Sequence, residues 1–386
     1  MQNCDHLCKT QVTLKTPKKS GDKRSGEANT APFSIFVPDE VKVIREVVFN
    51  PFYEKTVEQK HWRTAATHWD FALVGANLFG VRNADLREVV TDGLNAMAEA
   101  SGHAEIANSP MCLVGMSAGG GMSVNIAEAM PERVIAVAPV CLEVGPKSEA
   151  TRKIPIITIF GERDGKQMEK LSAKLPEQRA LGAQWAIAVQ WGRRHEFAKA
   201  NNLIMPFFDT VIAERYPAGV SPVEGVVDLK PYPEEAVWLG DKDGWEDYAA
   251  GIGPWRLRGT KRQKGHPPGD SSRGCWLPNE EFARLWRGFV VREPKIKFVS
   301  PPGLGDGQPF LVHDAGKQIV VKVSVAKGVN LRTLSAPGGS LKDVEGGREY
   351  EFLWTPEKAG IFALEAEGWD REGPRHCAMP HTILVR

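Results

Sequence analysis

The sequence predicts an α/β protein: a doubly wound, mostly parallel sheet with helices on both faces, followed by a smaller all-β domain. Three observations predict it. Short apolar runs of strand length alternate with helical patterns from Phe33 to about residue 217. Several of these runs, among them Met111–Val114, Val134–Val140 and Ile154–Phe160, lack polar alternation, as strands covered on both faces do. Beyond Pro301-Pro302-Gly303 the texture changes to short alternating strands separated by Gly and Pro turns.

The elements follow in order. The first thirty residues are polar and Lys-rich, with one short strand at Gln11–Lys15. Phe33–Val37, Glu46–Phe49 and Phe71–Val74 read as strands. Leu86, Val89, Val90, Leu94, Met97 and Ala98 recur at helical spacing. The run Met111–Val114 ends in Gly and is followed by a small-residue helix, Ala118–Ala129, stopped by Pro131. Strands Val134–Val140 and Ile154–Phe160, a helix Lys166–Leu181, a strand Trp185–Trp191 and a helix Leu203–Ala213 complete the alternation. Residues 218–275 carry Gly, Pro and Trp without a period, and a helix resumes at Asn279–Phe289. Strands at Ile319–Val325, Glu349–Trp354, Ile361–Glu367 and Thr382–Val385 suggest an immunoglobulin-like sandwich. The expected organisation is therefore a polar segment 1–30, an α/β domain 31–292 with 218–292 as an accessory, lid-like extension, and a β-sandwich domain 293–386.

Composition narrows the function classes. The 386 residues hold 49 basic and 48 acidic side chains, a net charge of +1, which offers no electrostatic reason for a nucleic-acid partner. No apolar run approaches the ~20 residues that span a bilayer, so no membrane partner is expected. The N-terminus lacks the apolar stretch of a signal peptide; the expectation is a cytoplasmic protein, or a secreted or periplasmic one if a presequence has been removed. Cys112 and Cys141 lie in apolar runs as core residues. Cys4 and Cys8 flank His6 without a second ligand pair, and Cys275 and Cys377 are able to pair only in an oxidising compartment. Gly119-Gly120-Gly121 lacks the Lys-Ser/Thr of a phosphate-cradling loop, no G-x-G-x-x-G follows a strand, and no H-E-x-x-H is present. Neither cofactor nor catalytic metal is expected.

The chemistry concentrates at Gly115-Met116-Ser117-Ala118-Gly119, a G-x-S-x-G between an apolar strand and a helix. A serine nucleophile needs such a sharp turn, where larger flanking side chains clash, and the helix N-terminus favours developing negative charge. Its base needs an orienting carboxylate, in the chain order Ser, acid, His. Asp164 follows the strand Ile154–Phe160, and His195 follows Trp185–Trp191. Glu162 and Glu196 flank these positions as competing acids. Oxyanion donors are expected from the Ala118 N–H and from the loop Asn50-Pro51-Phe52-Tyr53, where Phe52 or Tyr53 supplies the N–H because Pro51 has none. Met116, Trp191, Trp238 and Trp245 are substrate-binding candidates. Five of the 11 Trp (Trp238, Trp245, Trp255, Trp276 and Trp286) fall beside the α/β core, as an aromatic platform or as half-buried packing of a lid.

On Leu113–Gly120, Ile159–Asp164 and Gly192–Phe197 the chain resembles the α/β-hydrolase superfamily, in particular dienelactone-hydrolase-like and polyhydroxybutyrate-depolymerase-like esterases, over about residues 30 to 217. The resemblance implies a Ser117–His195–Asp164 triad that forms and hydrolyses an acyl-enzyme. The chain departs from the pattern in lacking a His-Gly oxyanion loop and in carrying residues 218–292 and the C-terminal β-domain. The expected function is hydrolysis of a small or polymer-borne carboxylic ester. A peptidase on the same residues, and a non-catalytic polysaccharide- or cell-surface-binding protein on this scaffold, are the alternatives. Oligomeric state is not encoded in any motif.

Overall fold

The computed structural model describes residues 7–13, 30–240, 257–259, 274–304, 312–345, 349–370 and 375–386. They divide into two units. The first takes the chain up to Thr158 together with Val211–Tyr232; the second takes Ile159–Thr210 and Pro233–Arg386.

In the first unit β1 (Leu7–Thr13), β2 (Thr30–Phe36), β3 (Glu46–Asn50), β4 (Phe71–Ala76), β5 (Met111–Met116) and β6 (Val134–Val140) lie in the order β1-β2-β4-β3-β5-β6. β1 and β2 are antiparallel to their neighbours, and β4, β3, β5 and β6 are parallel. The Val137 N–H donates to Pro155 O at 3.0 Å, where β7 (Ile156–Gly161) begins. The parallel strands are buried almost throughout, which is why their sequences are unbroken apolar runs. The strand expected at Gln11–Lys15 is β1, and Leu14 and Lys15 lie outside the described residues. So do Cys4 and His6; Cys8 is in β1 and its thiol donates to Ala100 O.

Four helices connect these strands: α1 (Lys60–Trp69), α2 (Leu86–Ser101), α3 (Ala118–Ala129) and the short α4 (Glu149–Arg152). α2 buries Leu86, Val89, Val90, Leu94, Met97 and Ala98, the face its spacing predicts, and stops on Gly102 at φ 77°. Each fully buried Leu, Val or Met there contributes about 1.5–3 kcal/mol over an exposed one. α1 is a helix not among those expected from the sequence, although its buried face, Trp62, Ala65, Ala66 and Trp69, recurs at helical spacing.

β3 opens on Glu46, a fully buried carboxyl whose two oxygens find no hydrogen-bond partner among the described residues. Burial pushes it well above its ordinary 4.5, against the opposing pull of Arg45 and Arg215. The folded state therefore holds this proton more tightly than the unfolded chain. The stability it brings is complete below about pH 4.5 and declines as pH rises toward the folded value. Glu46→Gln keeps the shape without the titration. The Tm of the variant relative to wild type is expected to rise steadily from pH 5 to pH 8; a difference that does not vary with pH contradicts this.

In the second unit the end of β7 adjoins β8 (Trp185–Gln190), with the Glu162 N–H donating to Gln190 O at 3.0 Å. α5 (Gln167–Ala180) links the two strands, and α6 (Asn201–Arg215) follows β8 and leads back into the first unit. Buried Arg179 of α5 donates to Gly274 O and Ala183 O, closing the helix onto the later chain. The strands β9 (Trp238–Gly240), β10 (Leu257–Gly259) and β11 (Cys275–Leu277) form a small antiparallel sheet in the order β10-β9-β11. α7 (Glu280–Phe289) starts where the Asn279 side chain accepts from the Phe282 N–H at 2.8 Å.

Two of the five clustered tryptophans are core residues rather than a platform. Trp276 is 3% exposed, and Trp286 is fully buried with its indole N–H on Ile187 O at 2.9 Å. Trp245 and Trp255 lie outside the described residues. Cys275 and Cys377 are not bridged: the Cys275 thiol donates to Ile187 O, and Cys377 Sγ is 3.8 Å from Glu367 Oε1.

The same unit carries β12 (Ile296–Ser300), β13 (Val312–His313), β14 (Ile319–Val325), β15 (Val329–Ser335), β16 (Gly339–Glu345), β17 (Glu349–Pro356), β18 (Gly360–Asp370), β19 (Arg375–Cys377) and β20 (His381–Val385). They form two sheets, β12-β14-β17-β16 and β13-β20-β18-β15 with β19 on β18, antiparallel except for β13 against β20. In β14, Ile319, Val321, Val323 and Val325 point inward while Val320, Lys322 and Ser324 do not, the period of two that the sequence shows. They share a core with Trp354, Phe362, Leu364 and Val385. Among the described residues no helix is long and apolar enough to cross a membrane.

Candidate active site

The serine turn is built within the first unit. Ser117 follows β5 at φ 53°, ψ −126°, a backbone region that costs a residue with a Cβ about 1–3 kcal/mol. Its N–H donates to Val140 O at 2.7 Å, and its carbonyl accepts from Gly121. The glycines around it are required by close backbone approach. A Cβ on Gly115 would lie 2.5 Å from the carbonyl of Gly119, and one on Gly120 3.0 Å from Gly115 O. One on Gly119 would lie 2.9 Å from Phe52 Cβ. Ser117 and Met116 are half-buried and Ala118 is exposed at the start of α3, where the first N–H groups have no intrahelical partner.

The loop after β3 is pinned against this turn. Leu78 donates to Pro51 O, and a Cβ on Gly75 would lie 2.6 Å from Glu54 O. Of the two residues expected to donate to an oxyanion, the Phe52 N–H already donates to Asn50 Oδ1 at 3.2 Å, and Tyr53 is 46% exposed. Phe52 packs edge-on to Phe79 with ring centroids 5.8 Å apart. The loop contact was not legible in sequence; a glycine inside an otherwise buried strand, Gly75, is its one trace.

The two residues expected as acid and base, Asp164 and His195, lie within the second unit and come together there. His195 Nδ1 lies 3.0 Å from both Asp164 Oδ1 and Oδ2. The Asp164 side chain is 11% exposed and the imidazole 46%. The competing acids are engaged elsewhere. Glu162 accepts from the Gly192 N–H and from Arg292, while Glu196 accepts from the Arg194 N–H and pairs with Arg193. Two further residues shape the pair. A Cβ on Gly161, the last residue of β7, would lie 2.3 Å from Arg194 O and 2.5 Å from Arg193 O, so this glycine lets the His195 loop reach the acid. Gln167 Nε2 donates to Asp164 Oδ2 at 2.7 Å.

The remaining candidates have the following environments. Trp191 is half-buried, its indole N–H on Val290 O at 2.8 Å and the Arg292 guanidinium over its ring at 5.4 Å. Trp238 is half-buried at the start of β9. Apart from these candidates, burial lowers His61, on α1, to about 4, a neutral imidazole at ordinary pH, while His68 of the same helix is exposed.

No protein-family model matches the chain, and no curated protein matches its sequence. Solved structures do. A carboxylesterase of Nitrososphaera gargenis matches at 12% identity over 51% of this chain and 99% of that one, with a TM-score of 0.35. A dienelactone hydrolase from Anabaena variabilis matches at 17% identity over 53% and 96%, TM-score 0.32. A lidless α/β serine hydrolase from Xanthomonas campestris matches at 15% identity over 53% and 92%, TM-score 0.33. The solved structures that this chain is similar to thus include α/β hydrolases and esterases.

Proposed function

We propose that the protein is a serine hydrolase that cleaves carboxylic esters through an acyl-enzyme on Ser117, with His195 as base and Asp164 as its orienting acid. The observation that carries this reading is the backbone of Ser117. A serine held at φ 53° by three tightly packed glycines is strained, and such strain is retained where a side chain has to be presented in one direction. The Asp164–His195 pair supplies the second support, because a carboxylate on Nδ1 leaves Nε2 as the basic nitrogen.

In the proposed reaction Ser117 Oγ attacks the ester carbonyl carbon while its proton passes to His195 Nε2. The oxyanion accepts from the Ala118 N–H and from a second donor in the 52–53 loop; Tyr53 fits that part, since the Phe52 N–H is bonded to Asn50. Collapse expels the alcohol with the proton from the imidazolium, and water repeats the sequence to release the acid. The Phe52 and Phe79 rings, with Met116 before the serine, suit an apolar acyl group. Trp191 and Trp238 are substrate contacts in this reading, and the β-sandwich is of immunoglobulin-like type.

A fluorophosphonate probe followed by peptide mapping tests the proposal. One adduct, on Ser117, is expected; labelling elsewhere, or none, removes it. Turnover of acyl esters but not of the matching peptide amides separates an esterase from a peptidase.

A further inference from the structure

Gln167 is the first residue of α5 and is only 8% exposed. Its Nε2 donates to Asp164 Oδ2 at 2.7 Å, and the same carboxylate receives His195 Nδ1 at 3.0 Å from each oxygen. The carboxylate thus lies between an open imidazole and a sealed amide. The turn itself does not need this side-chain bond. Its backbone is closed by the Asp164 N–H on Gly161 O at 3.1 Å and the Gln167 N–H on Asp164 O at 3.4 Å.

The amide is also a poor choice for packing alone. Gln167 Oε1 is buried, and no described protein group donates to it. Burying a polar atom without a partner costs more than its neutral replacement by an apolar group of the same shape. A methionine would fill the same length without that cost. The bond to Asp164 is what the amide supplies and a methionine does not.

We propose that Gln167 is a positioning residue for the catalytic base, resting on the reading of Ser117, His195 and Asp164 given above. Rotation of an aspartate carboxylate about χ2 is soft, and both oxygens are equidistant from Nδ1. The Gln167 donor fixes that rotation and takes up part of the carboxylate's charge. Asp164 then holds the imidazole in one orientation. Around the pair, Glu162, Arg193, Arg194, Glu196 and Arg292 are the charged neighbours, and each is engaged in bonds of its own.

Gln167→Met tests the proposal. With an ester substrate, kcat is expected to fall about 10-fold or more while KM changes less than about 3-fold. The acid limb of kcat/KM should move to higher pH, because an undispersed carboxylate charge favours the imidazolium. Tm should stay within about 2 °C of wild type. Gln167→Glu, of the same shape, should move the limb further in the same direction as its own carboxyl ionises.

A readout that needs no turnover separates this proposal from the esterase reading. The low-field proton resonance of His195 Nδ1–H, identified by its loss in His195→Asn, should persist in Ser117→Ala. It should broaden or move upfield in Gln167→Met. If the protein hydrolyses no ester, this resonance alone decides the role of Gln167. An unchanged resonance together with an unchanged acid limb overturns the proposal, as does a loss of Tm with both unchanged, which would make Gln167 a helix-start residue only.

Discussion

Replacing Ser117 by alanine is expected to lower kcat for ester hydrolysis on the order of 10⁵-fold or more. The residual rate comes from whatever the oxyanion donors and substrate binding retain. The loss is a chemical one, since Ala occupies the same strained backbone and Tm should hardly move. Ser117→Gly extends the test. Glycine adopts φ 53° without a Cβ clash, so this variant should be inactive yet more stable by about 1 kcal/mol. Urea denaturation of the two variants beside wild type checks it. A glycine variant no more stable than alanine would show that the turn stores no strain, and activity surviving in either would remove Ser117 from the mechanism.

The second large effect is expected at Gly161, which carries no reacting atom of its own. A Cβ there meets two backbone carbonyl oxygens at 2.3 and 2.5 Å, and backbone cannot step aside as a flexible side-chain end can. Gly161→Ala should push the 193–194 segment outward and carry His195 off Asp164. A displacement of about 1 Å at a catalytic group costs on the order of 10²-fold in rate, and overpacking of this kind costs about 1–3 kcal/mol. Gly165 serves as the control. It is at φ 60° with open space around its would-be Cβ, so Gly165→Asn, which tolerates that conformation, should retain most of the activity. Equal losses at the two glycines would contradict the steric argument.

Much of this arrangement was legible in the sequence because it depends on short windows. A strand buried on both faces must be an apolar run, and a serine turn between strand and helix must be glycine-rich; both requirements act within a few residues. The meeting of Asp164 and His195 was expected for a related reason: each follows one of two neighbouring strands of a sheet, β7 and β8, so the two residues leave that sheet close together.

What was not legible depends on which distant segments meet. Trp276 and Trp286, counted along the chain, left an aromatic platform and half-buried packing both open; both are buried, Trp286 against Ile187 about a hundred residues away in sequence. Cys275 and Cys377 have the composition of a pair and the placement of two separate buried thiols. Residues 60–69 are a different case: Trp62, Ala65, Ala66 and Trp69 recur at helical spacing, so this helix was legible and was missed. Asp164 was preferred to Glu162 and Glu196 on its position after a strand, but the bonds that occupy each carboxylate were not legible. All three lie within reach along the chain, and only the fold shows the neighbours each one finds: Gly192 and Arg292, Arg193 and Arg194, or His195 and Gln167.

Local chain chemistry thus specified the strands, the turn at Ser117 and the kinds of residue available for catalysis, since backbone sterics and apolar periodicity act between near neighbours. The bond geometry between Asp164 and His195, the close approach permitted by Gly161 and the amide of Gln167 behind the carboxylate emerged only from the folded chain. Hydrogen bonds and van der Waals contacts are short-ranged in space, and the groups that make them here become neighbours only after the strands between them have packed.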